Sequence, residues 1–518
     1  MKNNKTILFV LFLFSLCITS CDNFLDELPD NRTELDNSDK IRKLLVSAYP
    51  STGEAIVTEF SSDNFQDLGE ANPDWDRVHK ELVYWEDVSE NDNDGPNSVW
   101  EGCYSAIAAA NEALASINKI GGTSLNAEKG EALVARAYAH FVLVNVFSKH
   151  YNETSSNTDL GIPYLESPEI LLDPKYERGT VKEVYEKINR DLEAGLPLID
   201  DNIYEVSKYH FNTKAAYAFA ARFNLYYQKW EKARDYATAV VTQAPLGLLR
   251  NWEAQGLVTA DQDPRTRAYF SDNSTLLNIT SGSNAGLIYG GYRIVTRFNH
   301  TRFIADNETM YAPLPWSDAV STADYHYRPA NYTATNFDKV VLMKLPYIFE
   351  YTDVVAGIGF IRTVHSPFTT DETLLVRAEA NVMLNNYDEA MSDLNTWSKN
   401  FFKNKETTVA GVNTFYNGMA YSSEAAPTQK KTLSPKFSIS AGTQENMLHY
   451  TLQCRRILTI HDGLRWFDIK RYGISVPRYI SDLSGGISVA DVLSVNDQRK
   501  AVQLPADVIA AGLTPNPR

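Results

Sequence analysis

Apolar residues recur three and four positions apart along much of this chain, and that spacing predicts helices. Residues 37–49 place Ile41, Leu44, Leu45 and Ala48 on one stripe behind an N-cap at Asn37 or Ser38. A helix over 98–119 carries Trp100, Tyr104, Ile107 and Leu114, and others cover about 127–147 and 180–199, the last closed by Pro197. Residues 213–229 and 231–243 read as a hairpin of helices with Trp230 at the turn and Pro245 at the end. Residues 371–385 and 387–401 repeat the arrangement around Asn385-Asn386-Tyr387-Asp388-Glu389-Ala390. Between these pairs, 246–370 loses the period and is rich in Gly, Asn, Thr and Tyr, with short strand-like runs at Leu287-Ile288-Tyr289 and Val340-Val341-Leu342. Residues 51–96 are irregular and polar with scattered aromatics. Near the end, 455–473 reads as two helical segments meeting at Gly463, with Ile457, Ile460, Leu464, Phe467 and Ile469 interleaved with five cations. Arginine forks suit bidentate pairing with carboxylates, so this cluster is expected to tie distant parts of the chain together.

Ala221, Trp230, Ala233 and Pro245 fall where tetratricopeptide repeats use small residues to let two helices close. The expected fold is therefore mainly α: a tetratricopeptide-like helix-pair scaffold over about 37–245 and 371–473. It carries a large irregular, loop-rich lobe over about 246–370. A long irregular insertion usually carries function, so this lobe is expected to bind ligand.

Residues 1–20 form a targeting segment, with Lys2 and Lys5 followed by an apolar run, Ile7 to Leu16, too short to span a bilayer. Its ending, Ile18-Thr19-Ser20-Cys21, resembles a lipobox, which makes Cys21 the lipidated N-terminus. No other stretch is long and apolar enough for a membrane helix. The chain of 518 residues has a formal charge of −16, or −18 (47 basic against 65 acidic) without Lys2 and Lys5. Such a surface argues against nucleic acid or anionic lipid as partner. Of four cysteines, Cys17 and Cys21 belong to the leader, and Cys103 and Cys454 are expected as buried free thiols.

Catalytic motifs are absent. The nine histidines show no metal-ligand spacing, and no nucleophile elbow, P-loop or dinucleotide fingerprint occurs. His461 and Asp462 are adjacent on a helix and do not face each other. No enzyme activity and no cofactor are expected. One calcium candidate exists: Glu90, Asp92, Asp94 and Glu101, with Gly95 and Ser98, keep EF-hand-like places. The simpler reading is a turn followed by a capping box, Ser98 with Glu101.

The stretch Arg455-Arg456 through Gly463-Leu464-Arg465-Trp466-Phe467-Asp468 to Arg471-Tyr472-Gly473 resembles the C-terminal signature of the SusD/RagB family, outer-membrane nutrient-binding lipoproteins. Cys454, Leu458 and Asp462 stand where that family has glutamate, which weakens the expectation of its internal salt bridges. The opening Cys21-Asp22-Asn23-Phe24-Leu25-Asp26, the helix around Arg136-Ala137-Tyr138 and the proline-rich tail after Gln503 are similar to the family as well. The resemblance implies one domain over 21–518, lipid-anchored in the outer membrane and facing outward. It implies a TonB-dependent, SusC-like transporter as partner and non-catalytic capture of polysaccharide or oligosaccharide. RagB-like oligopeptide capture is the alternative, and an uncharacterised enzyme a third.

A glycan site is expected to be shared by 51–96 and 246–370, whose aromatic residues helical packing does not explain. The candidates are Trp75, Trp85, Tyr289, Tyr292, Tyr311, Trp316, Tyr325 and Tyr327, with Asn72, Asp74, Arg293 and Asp318 as polar partners. Trp75 and Trp316 offer the largest flat faces. The helix pairs 213–243 and 371–401 are expected to meet the transporter.

Overall fold

The computed structural model describes residues 34–169, 175–334 and 337–518. The leader, Cys21 and the opening after it lie outside the described residues. Helix α1 (Ser38–Leu45) begins on Asn37, whose side chain accepts a bond from the Lys40 amide. The stretch 51–96 is more regular than its sequence suggests. It folds α2 (Ala55–Ser61), strand β1 (Gln66–Asp67) and α3 (Arg77–Val83). Every residue of α2 is buried, Thr58 and Glu59 included, so it has no polar face to set a period.

Helices α4 (Pro96–Ile120) and α5 (Asn126–Phe147) pack as a pair, and α6 (Val181–Gly195) packs on α5. A capping box between Thr180 and Glu183 opens α6. Next come α7 (Thr213–Tyr226) and α8 (Trp230–Val241). Ala215, Ala216, Ala218, Ala220, Ala233 and Ala237 are buried along them, and such short side chains allow the two backbones to approach.

The segment 246–370 is a folded lobe. It contains α9 (Trp252–Gly256), α10 (Gln262–Ser271), β2 (Thr275–Ser281), α11 (Ala285–Ile288), β3 (Phe298–Asn299) and α12 (Arg302–Glu308). Strands β4 (Ala330–Ala334), β5 (Phe337–Val341), β6 (Ile348–Asp353) and β7 (Ile358–Thr369) follow. Val340 and Val341 lie in a strand as expected. Leu287 and Ile288 are helical instead, in a turn whose Gly286 lies so close to the Pro346 carbonyl that a Cβ would stand 2.0 Å from its oxygen.

Strand β7 runs directly into α13 (Thr370–Met383), which packs on α7 and α8 as well as on α14 (Tyr387–Phe401). The two helix pairs are therefore neighbours in space, and the lobe leaves and rejoins a continuous stack. Helix α15 (Val409–Gly418) and α16 (Thr443–Leu458) extend it, and α17 (Leu464–Arg471) folds back onto α2. Gly463 makes that reversal at φ +77°, where a Cβ would stand 2.2 Å from Thr58 Oγ1. The chain ends in the hairpin β8 (Val476–Ser481) and β9 (Ile487–Leu493) and α18 (Ala506–Ala510). Among the described residues three sheets result, in the orders β3-β1-β8-β9, β2-β7-β6 and β4-β5.

The C-terminal arginines do tie the chain together, and the ion pairs the missing glutamates put in question are present. Their carboxylates come from elsewhere. Arg456 pairs with Glu308 and Asp63, each at 3.1 Å, and donates to Asn64 Oδ1 at 2.8 Å. Arg465 grips Asp63, while Arg455 and Arg471 share Glu379 and Asp468. All nine residues are buried. Cys103 and Cys454 are free, buried thiols.

Candidate functional site

The small sheet brings the two aromatic-bearing segments side by side. Strand β1 pairs antiparallel with β3 (Asp67 opposite Phe298) and parallel with β8. The loop after β1 and the loop before β3 are then laced by backbone bonds from Leu68 N to Arg297 O at 2.8 Å and from Arg297 N to Asp74 O at 2.9 Å. Side chains complete the joint. Arg293 donates to both oxygens of Asp74 at 2.7 and 3.3 Å and to Asp76 at 2.8 Å. Arg297 forks onto Asp67 at 2.6 and 2.9 Å. His79 hydrogen-bonds Asp76 and, with Arg293, holds its carboxyl well below the usual carboxylate range.

Trp75 stands on this joint, 42% exposed, with the Lys80 ammonium 5.7 Å from its ring centroid. Tyr292, 53% exposed, donates its hydroxyl to Asp263 at 3.1 Å and rests 5.3 Å from Tyr347. Tyr347 immediately precedes β6, where Phe349 and Tyr351 follow at a two-residue spacing that puts both on one face. Their ring centroids are 4.8 Å apart. Here β6 and the first half of β7 leave the body as a two-stranded ribbon on which Tyr351, Val354, Val355, Ile358 and Phe360 are exposed. Gly359 lies opposite Tyr351, and a Cβ on it would fall 2.2 Å from Glu350 O and 2.8 Å from the Phe349 ring. Glycine therefore leaves the space that Phe349 occupies. The aromatic alternation 347, 349, 351 is the sequence signal that identifies this ribbon, and none of its three residues is among the expected site residues.

Several expected residues are core, which corrects their assignment. Trp85 is buried, donates its indole N–H to Ser61 O at 2.7 Å and lies under the Arg478 guanidinium. Tyr289 is buried and stacks on His461 at 4.9 Å. Tyr311 is buried with its hydroxyl on Asn331, and Tyr325 and Tyr327 are buried with theirs on the carbonyls of Met310 and Met343. Trp316 is half-buried edge-on to Phe402, under Lys405, and has no contact with the Trp75 joint among the described residues. Asn72 is buried and caps the loop by accepting from the Asp74 amide at 3.0 Å, and Asp318 is exposed. The joint thus brings together Trp75, Asp74, Arg293 and Tyr292 and leaves the others apart.

The calcium candidate also changes. Asp94 turns inward to Ser283 Oγ at 2.5 Å and the Asn284 amide at 2.8 Å, tying the start of α4 to the lobe. Glu90 pairs with Arg77, and Glu101 is exposed on α4. Among the described residues no group of three or more His, Cys, Asp or Glu is placed to hold a metal. The capping box is absent too: Gly95 is the N-cap, and Ser98 donates to Asp92 O. His461 and Asp462 do not meet as a dyad, since Asp462 pairs with Lys344. No described helix is long and apolar enough to cross a membrane.

A separate cleft of about 1620 Å³ lies between α4, residues 160–169 and 175–179, and the C-terminal tail, with Trp100, Tyr104, Glu112 and Arg178 in its walls.

Residues 23–225 match the model of a family described as "SusD-like_3: Starch-binding associating with outer membrane". A SusD-like protein of Formosa agariphila is 24% identical over 266 residues, and the match spans 48% of this chain and 47% of that protein. The chain thus matches about half the length of this curated relative. Among solved structures, a SusD superfamily protein from Bacteroides thetaiotaomicron is 19% identical with a TM-score of 0.64, covering 93% of this chain and 99% of that one. A SusD-like carbohydrate binding protein from Bacteroides vulgatus is 15% identical with a TM-score of 0.57, covering 91% and 96%. These structural likenesses establish the fold.

Proposed function

We propose that the chain is a SusD-like protein, on the match of residues 23–225 and the shared fold, and that it captures glycans at the cell surface without catalysis. The observation that carries this reading is the joint itself, an exposed tryptophan beside a carboxylate–guanidinium–carboxylate group with Tyr292 on the same loop as Arg293. Sugar rings present C–H faces that pack on aromatic rings, and their hydroxyls donate to carboxylates. Each such ring contributes about 1 kcal/mol, roughly fivefold in affinity. A catcher built from several modest contacts releases its cargo readily.

The same reading makes Cys21 the lipidated residue, anchoring the protein in the outer membrane and facing it outward. The cargo passes to a SusC-like TonB-dependent transporter, met by the stack of α7, α8, α13 and α14. A tether raises the effective concentration of captured ligand at the pore mouth. Oligopeptide capture is the second reading, favoured by the cleft beside α4, whose volume and apolar walls with a few charged groups suit an extended peptide. Affinity gels with plant, algal and microbial polysaccharides, run beside a peptide-mixture pull-down, separate the two. Retardation by a polysaccharide that weakens in Trp75→Ala supports the first, and retention of peptides alone would overturn it.

A further inference from the structure

The arginines around the joint are already spent on carboxylates, and the buried Lys339 ammonium donates to the carbonyls of Ile288 and Arg293. Arg293 is held by both Asp74 and Asp76, and Arg297 by both oxygens of Asp67, with the charge of Glu70 acting on it as well. On the ribbon Arg362 donates to Glu350 at 2.8 Å. The Tyr292 hydroxyl points to Asp263, and the Asp261 charge also reaches it. Lys80 has no carboxylate partner among the described residues, and it is drawn over the Trp75 ring. A sulfate or uronate brought to this surface finds no open guanidinium fork and must sit among carboxylates. The formal charge of −16 adds a repulsive field of the same sign at longer range. A sugar hydroxyl meets the opposite situation, because ionised carboxylates retain lone pairs that accept it in charge-assisted bonds.

We infer that the joint selects uncharged glycan chains and rejects sulfated and uronate-bearing ones, with the Asp74–Arg293–Asp76 clamp as the element that closes the site to anions. This rests on the glycan reading proposed above.

The test uses matched polymers on affinity gels and in calorimetry: starch, laminarin, xylan and mannan, each beside its own sulfated or carboxymethylated derivative. For any backbone that binds, the derivative is expected to bind at least about tenfold more weakly at low salt, with the gap narrowing as salt is added. In Asp76→Asn, which frees one arm of Arg293, the preference for the neutral parent is expected to shrink several-fold. Glu70→Gln, on the exposed side of Arg297, serves the same purpose if the first variant is not folded. A derivative bound as tightly as its neutral parent overturns the inference, and a preference that neither folded variant alters overturns the role given to the clamp. Folded protein that binds no polymer of either kind overturns the glycan reading itself, and the inference with it.

Discussion

Asp63 accepts both arms of the Arg465 fork, at 2.8 and 2.7 Å, across 402 positions of sequence. Asp63 stands four residues before Asp67, so this pair fixes the base of the loop that carries Asp74 and Trp75. The C-terminal signature thus acts on the candidate site from beneath, by holding its foundation. Removing one partner of a buried pair leaves the other charge stranded. Arg465→Ala is expected to lower unfolding free energy by about 3–5 kcal/mol. Denaturant titration checks this, and an unchanged midpoint would show the pair to be incidental.

A second pair sets the acid limit of the fold. Burial alone would raise the Glu379 pKa, but the guanidinium groups of Arg455 and Arg471 outweigh it and hold the carboxyl at about 2, below its ordinary 4.5. A depressed carboxyl contributes stability that is complete above pH 4.5 and is lost as pH falls toward 2. Thermal midpoints are expected to fall steeply through that window. Glu379→Gln should flatten this part of the profile while lowering the midpoint at pH 7, and a profile with the wild-type slope would rule the pair out as its cause.

The helical scaffold is readable where a helix keeps an exposed face: α6, α8 and α14 bury one stripe each, such as Val184, Ile188 and Leu192 or Ala390, Leu394, Trp397 and Phe401, which writes a helical period into the sequence. Helix α2 is not, because it is buried on all sides. The arginine cluster can be recognised as a tie, but apart from Asp468 within it, its carboxylates lie on α12, on α13 and just after α2, and nothing local names those. Trp75 and Trp85 look alike as aromatics in an irregular stretch. Trp85 is turned inward at φ +57° onto Arg478, a residue of β8, and only the tertiary fold distinguishes the two. The Asp74–Arg293 pair could be named as candidates but not as partners, since the sheet pairing of β1 with β3 is what joins them.

This difference between the two tryptophans is measurable. Trp85→Ala removes a buried indole and its bond to Ser61, a loss of about 3–5 kcal/mol. Trp75→Ala removes a partly exposed ring and is expected to leave the thermal midpoint within about 2 °C of wild type. Polysaccharide affinity should respond mainly to Trp75. A large drop in midpoint for Trp75→Ala would place it in the core.

The Asp94 carboxylate turns inward from the loop before α4, so this loop is expected to hold without calcium. Addition of calcium or of a chelator is expected to leave the thermal midpoint unchanged, whereas Asp94→Ala costs about 1–3 kcal/mol by stripping the Ser283 hydroxyl and the Asn284 amide of their acceptor. A midpoint that rises with calcium concentration would restore the ion to this loop.

The ribbon supplies the last prediction. A two-stranded ribbon is marginal alone, and one face of this one exposes Tyr351 beside Phe349, while Phe360, paired with Glu350, lies on the other face. Its aromatic face continues from Tyr292, so a chain lying across Trp75 and Tyr292 can extend along it. Short oligosaccharides would engage the joint alone, and longer ones would add the ribbon. Phe349→Ala with Tyr351→Ala is therefore expected to weaken polymers roughly tenfold while changing short oligosaccharides little. Gly359→Val should act in the same direction without deleting a ring, because its side chain would occupy the place of Phe349. Equal losses at all chain lengths would mean that the ribbon only supports the joint. Loss of transporter co-purification with glycan affinity intact would make the ribbon a protein contact instead.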